Sequence, residues 1–509
     1  MASPSLTVHS GTTRRLRGSG SLLFFTVSAS APMTVLAGGI TVMFAVGGIT
    51  GVPLSFPILA VALALFTVGY AAMSRHVSNA GAFYAYLSKG LGGTFGVAGS
   101  FVALLAYNTI QIGLYGLFGF AAAGFAGSQF GWTYSWWVYS LVAWLVVGIL
   151  GVLRVDLNAT VLGIFLIAEV IAVCLFDVGA IAHPAGGTLS FAGFQPSNLF
   201  TSGAGLVFAF GVAAFVGFES GTSYSEEVRD SRRTVARATY GALLITGVLY
   251  SVSAWAMSLS VGVDKVVSVA QDPNGGLPFA QLEGYFGHAV ATAANVLLIT
   301  SVFAALLSFH NAVARYALAL GRERVLPSFL GSRGRGSGSP VAGSLMQSSL
   351  GIICIAIFAL LHKDPLTQFF TWLSYVAAVG VLLLMFSGSI AVIGYFGRRP
   401  GSVETAWQKV IAPILAILAL GAILAITIIN SDSVLGTSHG SVLSIVLPAL
   451  VGAAAILGLL WGLIIKATRP DVYANIGRGL GDDDDELESP SANLPRARHG
   501  ADASRRLQV

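Results

Sequence analysis

Charge is what this chain has least of. Only 10% of its 509 residues are Asp, Glu, Lys or Arg, against roughly 25% in a soluble domain. Hydrophobic residues make up 55%, and the mean hydropathy is +0.80. An ordinary water-soluble globule is excluded, and a polytopic membrane protein with the bilayer as its solvent is expected. Cysteine is almost absent: Cys174 and Cys354 are the only two, each inside an apolar run. They read as small core residues, not as a disulfide or a metal pair. HExxH, GxGxxG and P-loop patterns are missing. A soluble-type catalytic centre therefore finds no support, and neither a metal nor a cofactor is expected. The net charge of +5 is spread over helix ends, so a nucleic-acid partner is not expected either.

What is present is a series of long apolar runs. Twelve are long enough to span, at approximately 22–48, 54–74, 93–126, 134–153, 157–182, 202–224, 237–261, 287–318, 341–361, 366–396, 407–429 and 443–466. Runs 3, 8 and 10 exceed the bilayer thickness, so they must tilt or project. At the start, Arg14, Arg15 and Arg17 precede Leu22–Phe25, and Ala29-Ser30-Ala31 resembles a signal-peptidase site. The apolar character continues to about Gly48, which favours a retained first span.

Basic residues set the orientation. With the N-terminus in the cytoplasm, all but Lys265 and Lys363 of the 27 Lys and Arg fall on the cytoplasmic side. So one-sided a distribution follows the positive-inside rule and supports an even number of spans with both ends cytoplasmic. The cell membrane is the expected location. After Lys466 the composition changes: Asp482–Asp485, Glu486 and Glu488 form an acidic block followed by Ser, Pro and Arg. Residues 467–509 read as a disordered, solvated tail.

Two spans carry interruptions. Span 1 holds Ser28, Ala29, Ser30, Ala31 and Pro32, with Thr34 just beyond. Pro32 lacks a backbone donor and clashes with the preceding turn. Span 6 holds Ala214, Phe215, Val216, Gly217, Phe218, Glu219 and Ser220, where Gly217 weakens the helix. Paired broken helices in corresponding places of two halves point to a transporter binding site. Freed N–H groups favour a carboxylate and freed carbonyls an ammonium group. A zwitterion fits such a site better than a sugar.

Two carboxylates sit at membrane depth, Glu169 in span 5 and Glu219 after the span 6 break. A charge at mid-bilayer costs at least about 2.5–3.5 kcal/mol, and such residues mark pathways for solutes, ions or protons. Glu169 lies about 18 Å into its span at 1.5 Å per residue. Asp177 stands nearer the outer end, where it is expected to reach the interface. In span 3, Tyr107, Asn108, Gln111 and Tyr115 share one face, which can line a cavity or join helices. Ser308, His310 and Asn311 of span 8 approach the cytoplasmic end, His310 as an interfacial histidine.

These residues resemble the amino acid–polyamine–organocation superfamily of permeases over about residues 20–466. FVGFESGTSYSEEVRDSRRTVARA from Phe215 is similar to its span 6 and following loop. NAGAFYAYLSKGLG from Asn79 is similar to its 2–3 segment, and NAVARYALALGRERVLP from Asn311 to its span 8 exit. The resemblance implies an all-α fold of twelve transmembrane helices working by alternating access. Its core would be a five-plus-five inverted repeat, with helices 11 and 12 peripheral. The expected divisions are 1–20 (a cytoplasmic segment), 21–200 and 201–400 (the two repeats), 401–466, and the tail.

By position, the resemblance implies substrate contacts at Ser28, Ala29, Ser30, Pro32 and Thr34, and at Ala214, Phe215, Val216, Gly217 and Phe218. Tyr107, Asn108 and Gln111 face them. Glu169, Glu219 and Ser308 are the coupling and gating candidates. Two departures stand out. The usual span 1 motif is replaced by Ser28–Thr34, and Glu169 stands where many members carry a lysine. The expected function is secondary transport of an amino acid, proton-coupled or by exchange against a counter-substrate. A polyamine or amine carrier is the alternative within transport. A membrane sensor would need an ordered signalling domain, and an intramembrane enzyme a catalytic dyad at membrane depth. The coupling ion and the oligomeric state are left open.

Overall fold

The computed structural model describes residues 31–77, 83–153, 159–217, 231–272, 276–334, 338–399, 401, 403–434 and 441–477. Among these residues the regular structure is helical throughout. Inside a bilayer no water pairs with backbone N–H and C=O groups, so a spanning segment must satisfy them within itself.

Ten helices are long and apolar enough to cross. They are α2 (Val52–Ser74), α4 (Gly93–Phe130), α5 (Trp136–Leu153), α6 (Ala159–Ala182), α8 (Ser231–Val261), α11 (His288–Arg322), α12 (Val341–Leu360), α13 (Pro365–Gly397), α14 (Trp407–Ile429) and α15 (Val442–Thr468). Two shorter apolar helices, α1 (Thr34–Ala45) and α7 (Ala204–Phe215), lie in the runs expected to be interrupted. Amphipathic α3 (Phe83–Leu91) joins α2 to α4. Short α9 (Val266–Gln271) and α10 (Phe279–Phe286) lie between α8 and α11, and α16 (Pro470–Asn475) follows α15. The long runs 3, 8 and 10 emerge as helices of 38, 35 and 33 residues.

Small residues let the backbones approach, as helix packing in lipid requires. A Cβ on Gly90 of α3 would lie 2.2 Å from the Ala391 carbonyl oxygen of α13, and one on Gly343 of α12 would lie 2.7 Å from that of Ala314 of α11. Tyr115 of α4 and Tyr375 of α13 are fully buried in the core.

Near both expected interruptions the described backbone departs from helical geometry, at Ala31 and at Val216–Gly217. Before α1, Ala31 has φ 45°, a left-handed conformation that costs a residue with a Cβ about 1–3 kcal/mol. The chain then opens into α1 through a wide π-type stretch, Thr34–Ile40, a form frequent at functional sites. After α7, Val216 turns extended (φ −56°, ψ 131°) and Gly217 takes φ 108°. Only glycine reaches that region without strain.

Three expectations about polar residues are corrected by the packing. Asp177 does not reach an interface: it is 5% exposed, because α8 covers it. His310 is fully buried, with Nε2 2.7 Å from Ser344 Oγ of α12, because Gly151 of α5 lets the ring lie flush against it. Cys174 is exposed on the outside of the bundle, not a core residue.

Candidate functional site

The interruption before α1 brings three helices to one point. Glu169 sits on the buried stripe of α6 and is 5% exposed. Its Oε2 accepts the backbone N–H of Met33 at 3.2 Å and the hydroxyl of Ser301 at 2.9 Å. Ser301, on α11, is 3.0 Å from Thr34 Oγ1 in the first turn of α1. The N–H of Met33 is one of those a helix start leaves without an intrahelical partner. The carboxylate serves as its acceptor, and a negative charge beside a helix N-terminus is favoured.

No cation lies within ion-pair distance of Glu169 among the described residues. Three oxygens and one N–H thus converge on a dry site at a helix break. An ionised carboxyl accepts from both Met33 and Ser301. A proton on the carboxyl replaces these charge-assisted hydrogen bonds with weaker neutral ones and so loosens the hold of α6 on the first turn of α1. The arrangement can therefore convert proton binding into a change at the helix break.

Pro32 is buried and Thr34 half-buried at the start of α1, so both stand at this point. Across the bundle, Ala214, Phe215 and Val216 are buried at the end of α7. The Phe215 ring is wedged between Phe56 of α2 and Tyr250 of α8, at centroid distances of 6.3 and 6.4 Å. It packs between α2 and α8. Gly217 closes the described segment. Ser28, Ala29, Ser30, Phe218 and Glu219 lie outside the described residues.

The polar face of α4 divides in two. Gln111 is fully buried and accepts from Gln347 Nε2 of α12 at 2.5 Å, while donating to Tyr115 at 3.1 Å. Ser140 of α5 donates to the Tyr115 carbonyl at 2.8 Å. Gln111 and Tyr115 thus join α4, α5 and α12. Asn108 is different: its Nδ2 bonds to the Leu104 carbonyl, and its Oδ1 is buried without a partner. Tyr107 is half-buried with its ring 6.5 Å from that of Tyr316. Ser308 is exposed, and the serine of α11 that meets Glu169 is Ser301. Sequence reading missed Ser301. The available signal was its position two helical turns before Ser308, on the same helix face.

Ten helices able to span a membrane and two shorter apolar ones, packed around a buried carboxylate, have the architecture of a membrane transporter. A profile of the family described as "Amino acid permease" matches residues 20–453, and the chain belongs to that family. Among curated proteins it is similar to the "Low-affinity putrescine importer PlaP" of Escherichia coli (strain K12). The identity is 25% over 409 residues, covering 77% of this chain and 84% of the relative. The protein of the same name from Escherichia coli O157:H7 matches equally.

Proposed function

We propose that this permease moves an amino acid across the cell membrane by alternating access, with proton coupling through Glu169. The observation that carries this reading is the junction of Glu169 with Met33 and Ser301, which ties a titratable carboxylate to the helix break. Residues 21–200 and 201–400 form the two inverted repeats, α14 and α15 lie peripherally, and both termini face the cytoplasm. Substrate lies between Ser28–Thr34 and Ala214–Phe218, toward Tyr107 and Asn108. Glu219 senses its arrival, since it follows the Gly217 break by two residues. Exchange against a counter-substrate uses the same site without net proton movement.

A second reading is favoured by one observation: the curated relative is named as an importer of putrescine, a diamine. Glu169 and Glu219 would then offer carboxylates to the amine. Uptake into proteoliposomes separates the readings. A panel of labelled amino acids and amines is tested with and without a pH gradient. Amino-acid accumulation that rises with an inward proton gradient is expected. Uptake of amines alone would favour the second reading, and accumulation indifferent to pH would remove proton coupling.

A further inference from the structure

The second carboxylate of α6 has no part in the site above. Asp177 stands eight residues after Glu169, about 12 Å further along the axis at 1.5 Å per residue. Both belong to the buried stripe of the helix, whose other members there are Ala172, Val173, Phe176 and Ala180. Each is held by one serine from a different helix: Glu169 by Ser301 of α11, and Asp177 by Ser253 of α8, whose hydroxyl donates to Oδ2 at 2.9 Å. Oδ1 of Asp177 is sealed from solvent and has no hydrogen-bond partner.

Among the described residues, the neighbouring elements offer Asp177 no counter-charge. From its own helix comes Cys174, itself an acid, and beyond the helix end His183 stacks on Tyr285 at 5.9 Å. From α10, Tyr285 packs against Gly179 and its hydroxyl is buried without a partner. Glu283 and His288 are exposed and pair with each other at 3.1 Å. From α8 the polar contact is Ser253, and Tyr250 is occupied with Phe56 and Phe215. An ionised carboxylate in such a place has neither water nor a cation to offset its desolvation. A proton removes the charge, and carboxylates in sequence along a span are the form that proton relays take.

We propose that Asp177 is a second proton-binding site, set in series with Glu169 along the buried stripe of α6. The proton comes from water, bonds to Oδ1, and returns to water when α8 parts from α6; no covalent bond to carbon changes. Ser253 sets how readily the two helices part. In the orientation proposed above, Asp177 lies on the outer side of Glu169, so it loads first. The role in transport rests on the proton-coupled reading of Glu169, whereas occupancy of Asp177 by a proton does not.

Infrared difference spectroscopy on the full chain in lipid, across a pH step, tests occupancy directly. A protonated-carboxyl C=O band is expected that shifts with 13C-aspartate labelling, vanishes in Asp177→Asn and moves in Ser253→Ala. In proteoliposomes, Asp177→Asn is expected to lose accumulation driven by a pH gradient and to keep exchange. Absence of the band from wild type, or its persistence in Asp177→Asn, overturns the site. Loss of the band with wild-type accumulation overturns its place in series. If Glu169→Gln leaves accumulation intact while the band behaves as expected, the Glu169 reading fails and the Asp177 site stands.

Discussion

Two buried polar clusters in this bundle look alike in composition and differ in what they can do. The Gln111–Gln347–Tyr115 cluster joins continuous helices with neutral groups, and its hydrogen bonds run from side chain to side chain. The Glu169–Ser301–Met33 cluster joins two continuous helices to the start of an interrupted one, through a group that can gain or lose a proton. The first holds helices together whatever the state of the site. The second binds a backbone N–H more strongly when its carboxyl is ionised than when it carries a proton. Burial and polarity therefore do not mark function by themselves. Under the proposed reading, the mark is a titratable group bonded to the backbone at a helix start.

The strongest way to sharpen this contrast is at the other interruption. Gly217 holds φ 108°, which a β-branched residue cannot adopt without strain. Gly217→Val is expected to abolish substrate binding at normal expression, read by calorimetry. Unchanged affinity would move the site away from the breaks.

The next effect is of stability. Gln347→Leu leaves Gln111 Oε1 without its donor and is expected to cost about 1 kcal/mol, the order measured for interhelical polar contacts in membranes. Thermal unfolding in detergent should show the loss, while uptake per folded molecule stays at the wild-type level. A transport defect beyond the loss of folded protein would break the comparison.

How far the sequence reaches can be judged residue by residue. Ten of the twelve expected spans were legible because bilayer thickness fixes how many apolar residues a crossing needs. The backbone departures at Ala31 and Gly217 were legible because Pro32 and Gly217 act through the local backbone, whatever surrounds them. Glu169 was legible because a carboxylate in an apolar run is rare. Ser301 and Gln347 were not, since a serine or glutamine in a helix shows its partner only once the neighbouring helix is placed. Asp177 was misjudged for the same reason: its depth along α6 suggested an interface, and the cover from α8 is a tertiary fact. The same holds for His310, which needed Gly151 on another helix to be enclosed.

A smaller effect lies outside the spans. Glu404, in the loop before α14, is 2.7 Å from His76 Nε2 at the end of α2. Burial pushes the Glu404 carboxyl up, but the His76 hydrogen bond, with the charges of His76 and Arg75, outweighs it and holds the group below the usual carboxylate range. A depressed native value means that the contribution to stability is present above the ordinary carboxylate range and is lost as pH falls through the native one. Acid titration of thermal stability should therefore show wild type losing more than Glu404→Gln as pH falls through that window. Parallel curves would show that the pair contributes nothing.

The account stands or falls on Glu169. In proteoliposomes, Glu169→Gln keeps a side-chain acceptor for Met33 and Ser301 but cannot carry a proton. The measurement is accumulation of labelled substrate against its gradient under an imposed pH gradient, beside exchange of internal for external substrate without one. The expected result is that exchange persists and pH-driven accumulation disappears. Accumulation that still follows the pH gradient in Glu169→Gln would contradict proton coupling at the helix break.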